Sequence, residues 1–287
     1  MPQATIPNSS VFDIEGSDSR FRISVGWPET PPPETGWPVV LVLDGNRYFP
    51  VVCFSARTQA RRPALTHVEP ALIVGIDHLP GGDRVAQRLW HMTPEAPTER
   101  MRLRPNGQPW PKTGGAEILR NVLLEVLLPR LSKEWQIDQS RISLFGHSLG
   151  GLFVLDWLIQ DPEQFESYLI SSPSLWYADG IMFERLPQLA ARLVASSARP
   201  NVQLTIGNLE QSVPPERHAA VGEAYLDWVE GNRMVDHAKA LAEALGALPG
   251  LALKFRIFED ETHITAPALA IGQGLRVALR PRGLQGQ

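Results

Sequence analysis

The sequence predicts an α/β fold, a mostly parallel central sheet with helices on both faces. Three observations carry that reading. Apolar, strand-like runs alternate with helical patterns along most of the chain. Two runs, residues 39–43 (VVLVL) and 71–76 (ALIVGI), are continuously apolar, the pattern of strands buried on both faces. A third, residues 142–145, passes through a glycine-flanked serine straight into a helical pattern.

Each element follows from its own pattern. Residues 21–27 alternate and read as an early, antiparallel strand; residues 28–38, rich in proline, read as a loop. Residues 118–135 form a helix, because Leu119, Val122, Leu123, Val126 and Leu127 fall at helical spacing, with Pro129 kinking it or ending its regular part. Helices are expected over 149–159, 183–196, 238–248 and 266–279, and strands over 168–171, 202–206 and 253–258. The pattern fails between 77 and 115, a long polar, proline-rich insertion, and again between 209 and 236. Long irregular segments in a compact domain usually serve a function or are disordered. One domain is expected over residues 1–287, which is enough chain for one large core.

Composition narrows the function. The 287 residues are 43% hydrophobic and carry 27 basic against 31 acidic side chains, a net charge of −4, so nothing suggests a polyanion binder. The 26 prolines are nearly twice average usage and cluster in loops. Cys53 stands alone, which excludes an intrachain disulfide and a thiolate metal cluster; it reads as a small buried apolar residue. No stretch approaches a membrane span, and the start of the chain lacks the basic-then-apolar pattern of a secretory signal, so a cytoplasmic protein is expected. The histidines lack ligand spacing, and neither a metal nor an organic cofactor is implied.

Gly146-His147-Ser148-Leu149-Gly150 fits the pattern G-x-S-x-G, with strand ISLF before it and helix GLFVLDWLI after it. Acyl transfer needs its serine on a strained strand-to-helix turn, hydroxyl clear of the backbone. Flanking glycines are expected where a side chain would strike the adjacent strand or helix. Ser148 is therefore the candidate nucleophile of an α/β-hydrolase fold. In that fold the acid and then the histidine follow the serine. Of His218, His237 and His263, only His263 follows a strand by a few residues and precedes the closing helix, so it is the candidate base. Glu210, the first carboxylate after strand 202–206, is the candidate acid; Asp227, Asp236, Glu259, Asp260 and Glu261 are rivals, and a Ser–His pair is a further alternative. The oxyanion donors are expected at the backbone N–H groups of Leu149 and of Asn46, in the turn Asp44-Gly45-Asn46-Arg47.

Several segments, VLVLDGNRYF, GGAEILRNVLLEVLLPRL, the run from RISLFGHSLGG to SSPSLWY, LTIGNLEQ and FEDETH, resemble the esterase-D-like α/β hydrolases, and within them the siderophore esterases that open ferric-enterobactin-type trilactones. The resemblance spans about residues 21–279. It implies a nucleophile at Ser148, a base at His263, an acid at Glu210 and oxyanion donors at Asn46 and Leu149. Family members often carry R-x-x-D-x-T-P in the long loop; here Arg88-Leu89-Trp90-His91-Met92-Thr93-Pro94 has His91 at the aspartate, which bears on substrate identity. A catechol siderophore is bulky, aromatic and anionic, so a matching pocket would join arginine to aromatic faces. Arg47, Arg88, Trp90 and His147 are the candidates for substrate contact, with Arg84, Arg100, Arg102, Arg104 and Trp110 in the same stretches. The expected partner is a small-molecule ester, a ferric siderophore among the candidates; neither nucleic acid nor membrane is expected, and oligomeric state is not legible. A general carboxylesterase, a thioesterase, and an inactive hydrolase-fold binding protein are the alternatives.

Overall fold

The computed structural model describes residues 5–104 and 106–282. Its strands are β1 (Ser9–Glu15), β2 (Arg20–Gly26), β3 (Trp37–Leu43), β4 (Leu72–His78), β5 (Ile137–His147), β6 (Ser167–Ser171), β7 (Asn201–Gly207) and β8 (Ala252–Phe258). They form one sheet in the order β1-β2-β4-β3-β5-β6-β7-β8. Pairing is antiparallel for β1–β2 and β2–β4 and parallel from β4 to β8.

The helices are α1 (Gly45–Ala60), α2 (Pro63–Thr66), α3 (Arg84–His91), α4 (Ala116–Asn121), α5 (Leu128–Glu134), α6 (Leu149–Gln160), α7 (Ile181–Ala195), α8 (His218–Val221), α9 (Glu223–Asn232), α10 (Met234–Gly246) and α11 (Ala266–Ala278). Two cores sandwich the sheet. On one face Val39, Leu41 and Leu43 pack with residues of α4–α7 and α10; on the other Val40 and Val42 pack with α1 and α11. Every residue of β3 and β4 is buried, as the unbroken apolar runs require. Among the described residues no helix is long and apolar enough to cross a membrane.

Four local expectations need correction. β1 and α1 have no counterpart in the sequence reading. Pro50 lies inside α1 and disguises it, although Phe49, Val52, Cys53 and Ala56 form a buried stripe at helical spacing. The segment 77–115 contains α3, which starts at Asp83, whose carboxylate accepts the N–H groups of Val85 and Ala86. Only Leu89 and His91 of α3 are buried, and its apolar positions Val85, Ala86, Leu89 and Trp90, though at helical spacing, span too few residues to stand out in a polar insertion. The segment 209–236 holds α8, α9 and the start of α10.

Pro129 neither ends nor breaks its helix. α4 runs through a π-helical stretch, Val122–Leu127, into α5, and the Leu128 N–H already donates five residues back, to the Leu123 carbonyl. Pro129 lacks an N–H, and the hydrogen-bond ladder has shifted before reaching it. The wider turn carries Leu123, Leu127 and Leu131 into the core and leaves Val126 38% exposed at its rim. Cys53 is buried as expected, and burial pushes its thiol up to about 12.

Candidate active site

Parallel strands β3, β5, β6, β7 and β8 end at one edge of the sheet, and the strand ends and loops there carry Asp44, Ser148, Ser171, Ser172, Ser174, Glu210 and His263. Ser148 sits between β5 and α6 with φ 61° and ψ −118°. For a residue with a Cβ that backbone costs on the order of 1–3 kcal/mol, a strain that surrounding contacts must over-determine. They do so here. The Ser148 N–H donates to the Ser171 carbonyl at 3.0 Å, and its own carbonyl accepts the N–H groups of Leu152 (2.9 Å) and Ser174 (3.1 Å).

The glycines around the turn divide into two kinds. A Cβ on Gly146 would lie 2.2 Å from the Gly150 carbonyl oxygen, and one on Gly151 would lie 2.7 Å from the Ser171 carbonyl oxygen, so both must be glycine. A Cβ on Gly150 would meet nothing closer than 3.6 Å, so the expected collision at that flank is absent and the tight position is Gly151.

Ser148 Oγ lies 2.9 Å from His263 Nε2, and His263 Nδ1 lies 2.6 Å from Glu210 Oε2. The other Glu210 oxygen, Oε1, accepts the Gly207 N–H at 2.7 Å and the Ser172 hydroxyl at 2.6 Å. A buried carboxylate is thereby fully engaged, one oxygen held by the protein and the other facing the imidazole. Ser174 Oγ stands 3.3 Å from Ser148 Oγ. Such a chain can take a proton from the serine hydroxyl and stabilise the resulting imidazolium. Leu149 and Asn46 occupy the first turns of α6 and α1, where N–H groups have no intrahelical acceptor.

His147 lies under the base. It is 4% exposed, its ring centroid 4.5 Å from that of His263, and its Nδ1 is 3.0 Å from Ser171 Oγ. Burial, and after it the positive charge of His263, Arg88 and Arg47, holds its pKa well below the ordinary histidine value. A neutral ring therefore packs against the imidazole that becomes charged. Expected as a substrate contact, His147 is instead part of the floor, because it is the last buried residue of β5.

Arg88 is also placed differently from expectation. Its Nε and Nη2 donate to the two carboxylate oxygens of Asp44 at 2.6 and 2.9 Å, and Asp44 is 1% exposed. Asp44 opens the turn into α1 with φ 53° and ψ 48°, and its carbonyl accepts the N–H groups of Arg47 and Tyr48. Arg88 thus ties the turn before Asn46 to the long insertion. Trp90 donates from Nε1 to Asp18 (2.8 Å) and lies under the Lys112 ammonium, 3.5 Å from its ring centroid, with no triad residue among these partners. Arg47 and Asn46 are exposed beside Tyr48, whose pKa is raised by burial and by Asp44. His91 is buried, with Nδ1 3.0 Å from His78 Nε2 and Nε2 3.0 Å from Ser19 Oγ.

The rivals lie elsewhere. Asp236 binds Gln211 and Arg233, and Glu259 binds Asn208. His218 bonds the Val213 carbonyl, while His237 is half-buried against Phe183. The sequence reading passed over Ser171, Ser172 and Ser174. Their signal was the polar run SSPS at the carboxyl end of a strand.

Comparisons with known proteins agree with this architecture. The family model Esterase matches residues 15–238. The ferri-bacillibactin esterase BesA of Bacillus subtilis is 32% identical over 283 residues, 97% of this chain and 92% of its own length. The siderophore enterobactin esterase of Emericella nidulans is 30% identical, covering 92% of each chain. Among solved structures, the BES protein from Bacillus cereus superposes with a TM-score of 0.82 at 31% identity, covering 97% of this chain and 98% of its own. The siderophore hydrolase EstA from Aspergillus nidulans does so with a TM-score of 0.80 at 26% identity, covering 96% of each.

Proposed function

The chain belongs to the Esterase family and is a carboxylic ester hydrolase, and we propose that it opens siderophore-type trilactones by a Ser148–His263–Glu210 triad and an acyl-enzyme. The observation that carries this reading is the unbroken relay from Ser148 Oγ through His263 to Glu210 at 2.9 and 2.6 Å. The names of the relatives, siderophore esterases from a bacterium and from fungi, support the substrate class.

In the proposed reaction His263 Nε2 takes the Ser148 proton as Oγ attacks the ester carbonyl. Glu210 holds the imidazolium in place, and the N–H groups of Leu149 and Asn46 receive the oxyanion. Collapse breaks the C–O bond, and His263 returns the proton to the departing alkoxide. Water then adds to the acyl-enzyme with His263 again as base, releasing the carboxylic acid and restoring Ser148. His147, neutral beneath His263, adds no competing charge when the base is protonated.

The test is turnover of ferric enterobactin, its iron-free form and a short-chain p-nitrophenyl ester by wild type and Ser148→Ala. The variant should lose about 10⁶-fold in kcat with its unfolding midpoint retained. Near-normal turnover by Ser148→Ala would sink the triad. Turnover of the small ester alone would remove the siderophore and keep the esterase.

A further inference from the structure

The connection after β6 holds a buried residue in a conformation that glycine adopts most readily. Ser172 has φ 43° and is 0% exposed. It also precedes Pro173, and the residue before a proline is already restricted in its backbone. A residue with a Cβ is strained at such a φ, and strain of this kind persists where surroundings enforce it. Two hydrogen bonds contribute to that enforcement. The Ser172 N–H donates to the Thr205 carbonyl at 2.8 Å, and its hydroxyl donates to Glu210 Oε1 at 2.6 Å. A glycine would make the first equally well. Of the two, only the second requires a side chain.

Glu210 depends on a bond of this kind. Its carboxylate ends a torsion between sp³ and sp² atoms, whose minima are broad and weakly directing. Rotamer preference therefore does not decide how the carboxylate is tilted toward His263. The Gly207 N–H holds Oε1 at 2.7 Å from three residues back along the same loop. A carboxylate oxygen prefers its donors near the plane of the group. One donor leaves that plane free to pivot, whereas two donors from different elements define it. The Ser172 hydroxyl is the second donor, and the plane so fixed sets Oε2 2.6 Å from His263 Nδ1. The residues around Ser172 bind the nucleophile instead. The Ser171 carbonyl accepts the Ser148 N–H, and the Ser174 N–H donates to the Ser148 carbonyl. The left-handed turn thus lets one short segment hold the backbone of Ser148 through its ends and the acid through Ser172.

We propose that Ser172 is a positioning residue of the esterase, its hydroxyl orienting the Glu210 carboxylate toward His263. This task is the reason that a serine occupies a backbone position suited to glycine. Being fully buried, Ser172 meets no substrate and acts through Glu210. The inference rests on the Ser148–His263–Glu210 reading and adds a further side chain to it.

The experiment separates the hydroxyl from the backbone. Ser172→Gly relieves the strained position and removes the hydroxyl, while Ser172→Ala removes the hydroxyl and keeps the Cβ. Both are compared with wild type, Glu210→Gln and the double variant Ser172→Gly/Glu210→Gln, with Ser148→Ala as the blank. The readouts are the urea unfolding midpoint, and kcat and KM for a short-chain p-nitrophenyl ester. Ser172→Gly should keep its midpoint and lose about tenfold to a hundredfold in kcat, with KM changed by less than about twofold. Ser172→Ala should lose a similar factor in kcat, so the result does not hang on one variant folding. On top of Glu210→Gln the glycine substitution should cost less than about twofold further, because the carboxylate it orients is gone. A folded Ser172→Gly enzyme with wild-type kcat overturns the inference. So does a loss repeated in full on top of Glu210→Gln, or one confined to KM. Wild-type speed in Glu210→Gln alone would remove the acid from the triad and the role of Ser172 with it, an outcome that the glutamate variant reports by itself.

Discussion

Replacing Arg88 by Met removes the guanidinium that pairs, among the described residues, with a carboxylate that is 1% exposed. Two charge-assisted hydrogen bonds, at 2.6 and 2.9 Å, disappear, and Asp44 is left charged in the interior. Breaking a buried pair in this way costs roughly 3–5 kcal/mol, a large part of the roughly 5–15 kcal/mol that holds a typical protein folded. In urea the midpoint should fall on the order of 1–2 M. Asp44→Asn removes the charge and retains a residue type that accepts the left-handed turn, so the double variant Asp44→Asn/Arg88→Met should recover about half of the loss. The assay is urea unfolding of the two single variants and the double variant, alongside KM for ferric enterobactin. An Arg88→Met protein with an unchanged midpoint and a raised KM would refute the argument, because it would make Arg88 a ligand for substrate.

Other expectations can be checked in the same way. Glu210→Gln should reduce kcat by roughly 10⁴-fold, less than Ser148→Ala, since the imidazole loses its orienting carboxylate while the serine remains; a negligible loss would point to a Ser–His pair. Gly146→Ala should fail to give folded protein because its Cβ would sit 2.2 Å from a carbonyl oxygen, whereas Gly272→Ala, in the open on α11, should raise stability by about 0.5–1 kcal/mol. Acid should weaken the fold through His78. Burial, with like charge from His91 and Arg88, lowers its pKa to about 3. The unfolded chain therefore binds the proton first as pH falls, and the stabilisation, complete above about pH 6.5, is lost progressively below it. Between pH 7 and 5 the loss is roughly 2 kcal/mol. His78→Phe should flatten the stability curve by that amount, and parallel curves for the two proteins would contradict the assignment.

The parallel sheet was legible because burial on both faces leaves unbroken apolar runs, and VVLVL and ALIVGI are such runs. Ser148, His263 and Glu210 could be singled out by chain order and by their places after β5, β8 and β7, and His263 lies within hydrogen-bond distance of both the others. What stayed hidden depends on partners distant in sequence. The role of Arg88 is decided by Asp44, 44 residues away, and nothing local distinguishes it from a solvent-facing arginine. Helix α3 was missed because it lies on the surface and buries little, and α1 because a proline inside a helix outweighs its buried stripe in any local reading. The serines beside the nucleophile were passed over because hydroxyl residues at a strand end read as an ordinary turn.

The widened turn at Val122–Leu127 couples chain length to residue identity. It holds one residue more than an α-helix would over the same rise, while Leu119 and Leu131 on either side both remain buried. Deleting that surplus residue would restore regular geometry without turning the flanks away from the core. It would also press the ring of Pro129 against the carbonyl four residues back. The insertion and the proline are therefore interdependent. Across the family, sequences one residue shorter here should lack the proline, and sequences that keep the proline should keep the extra residue.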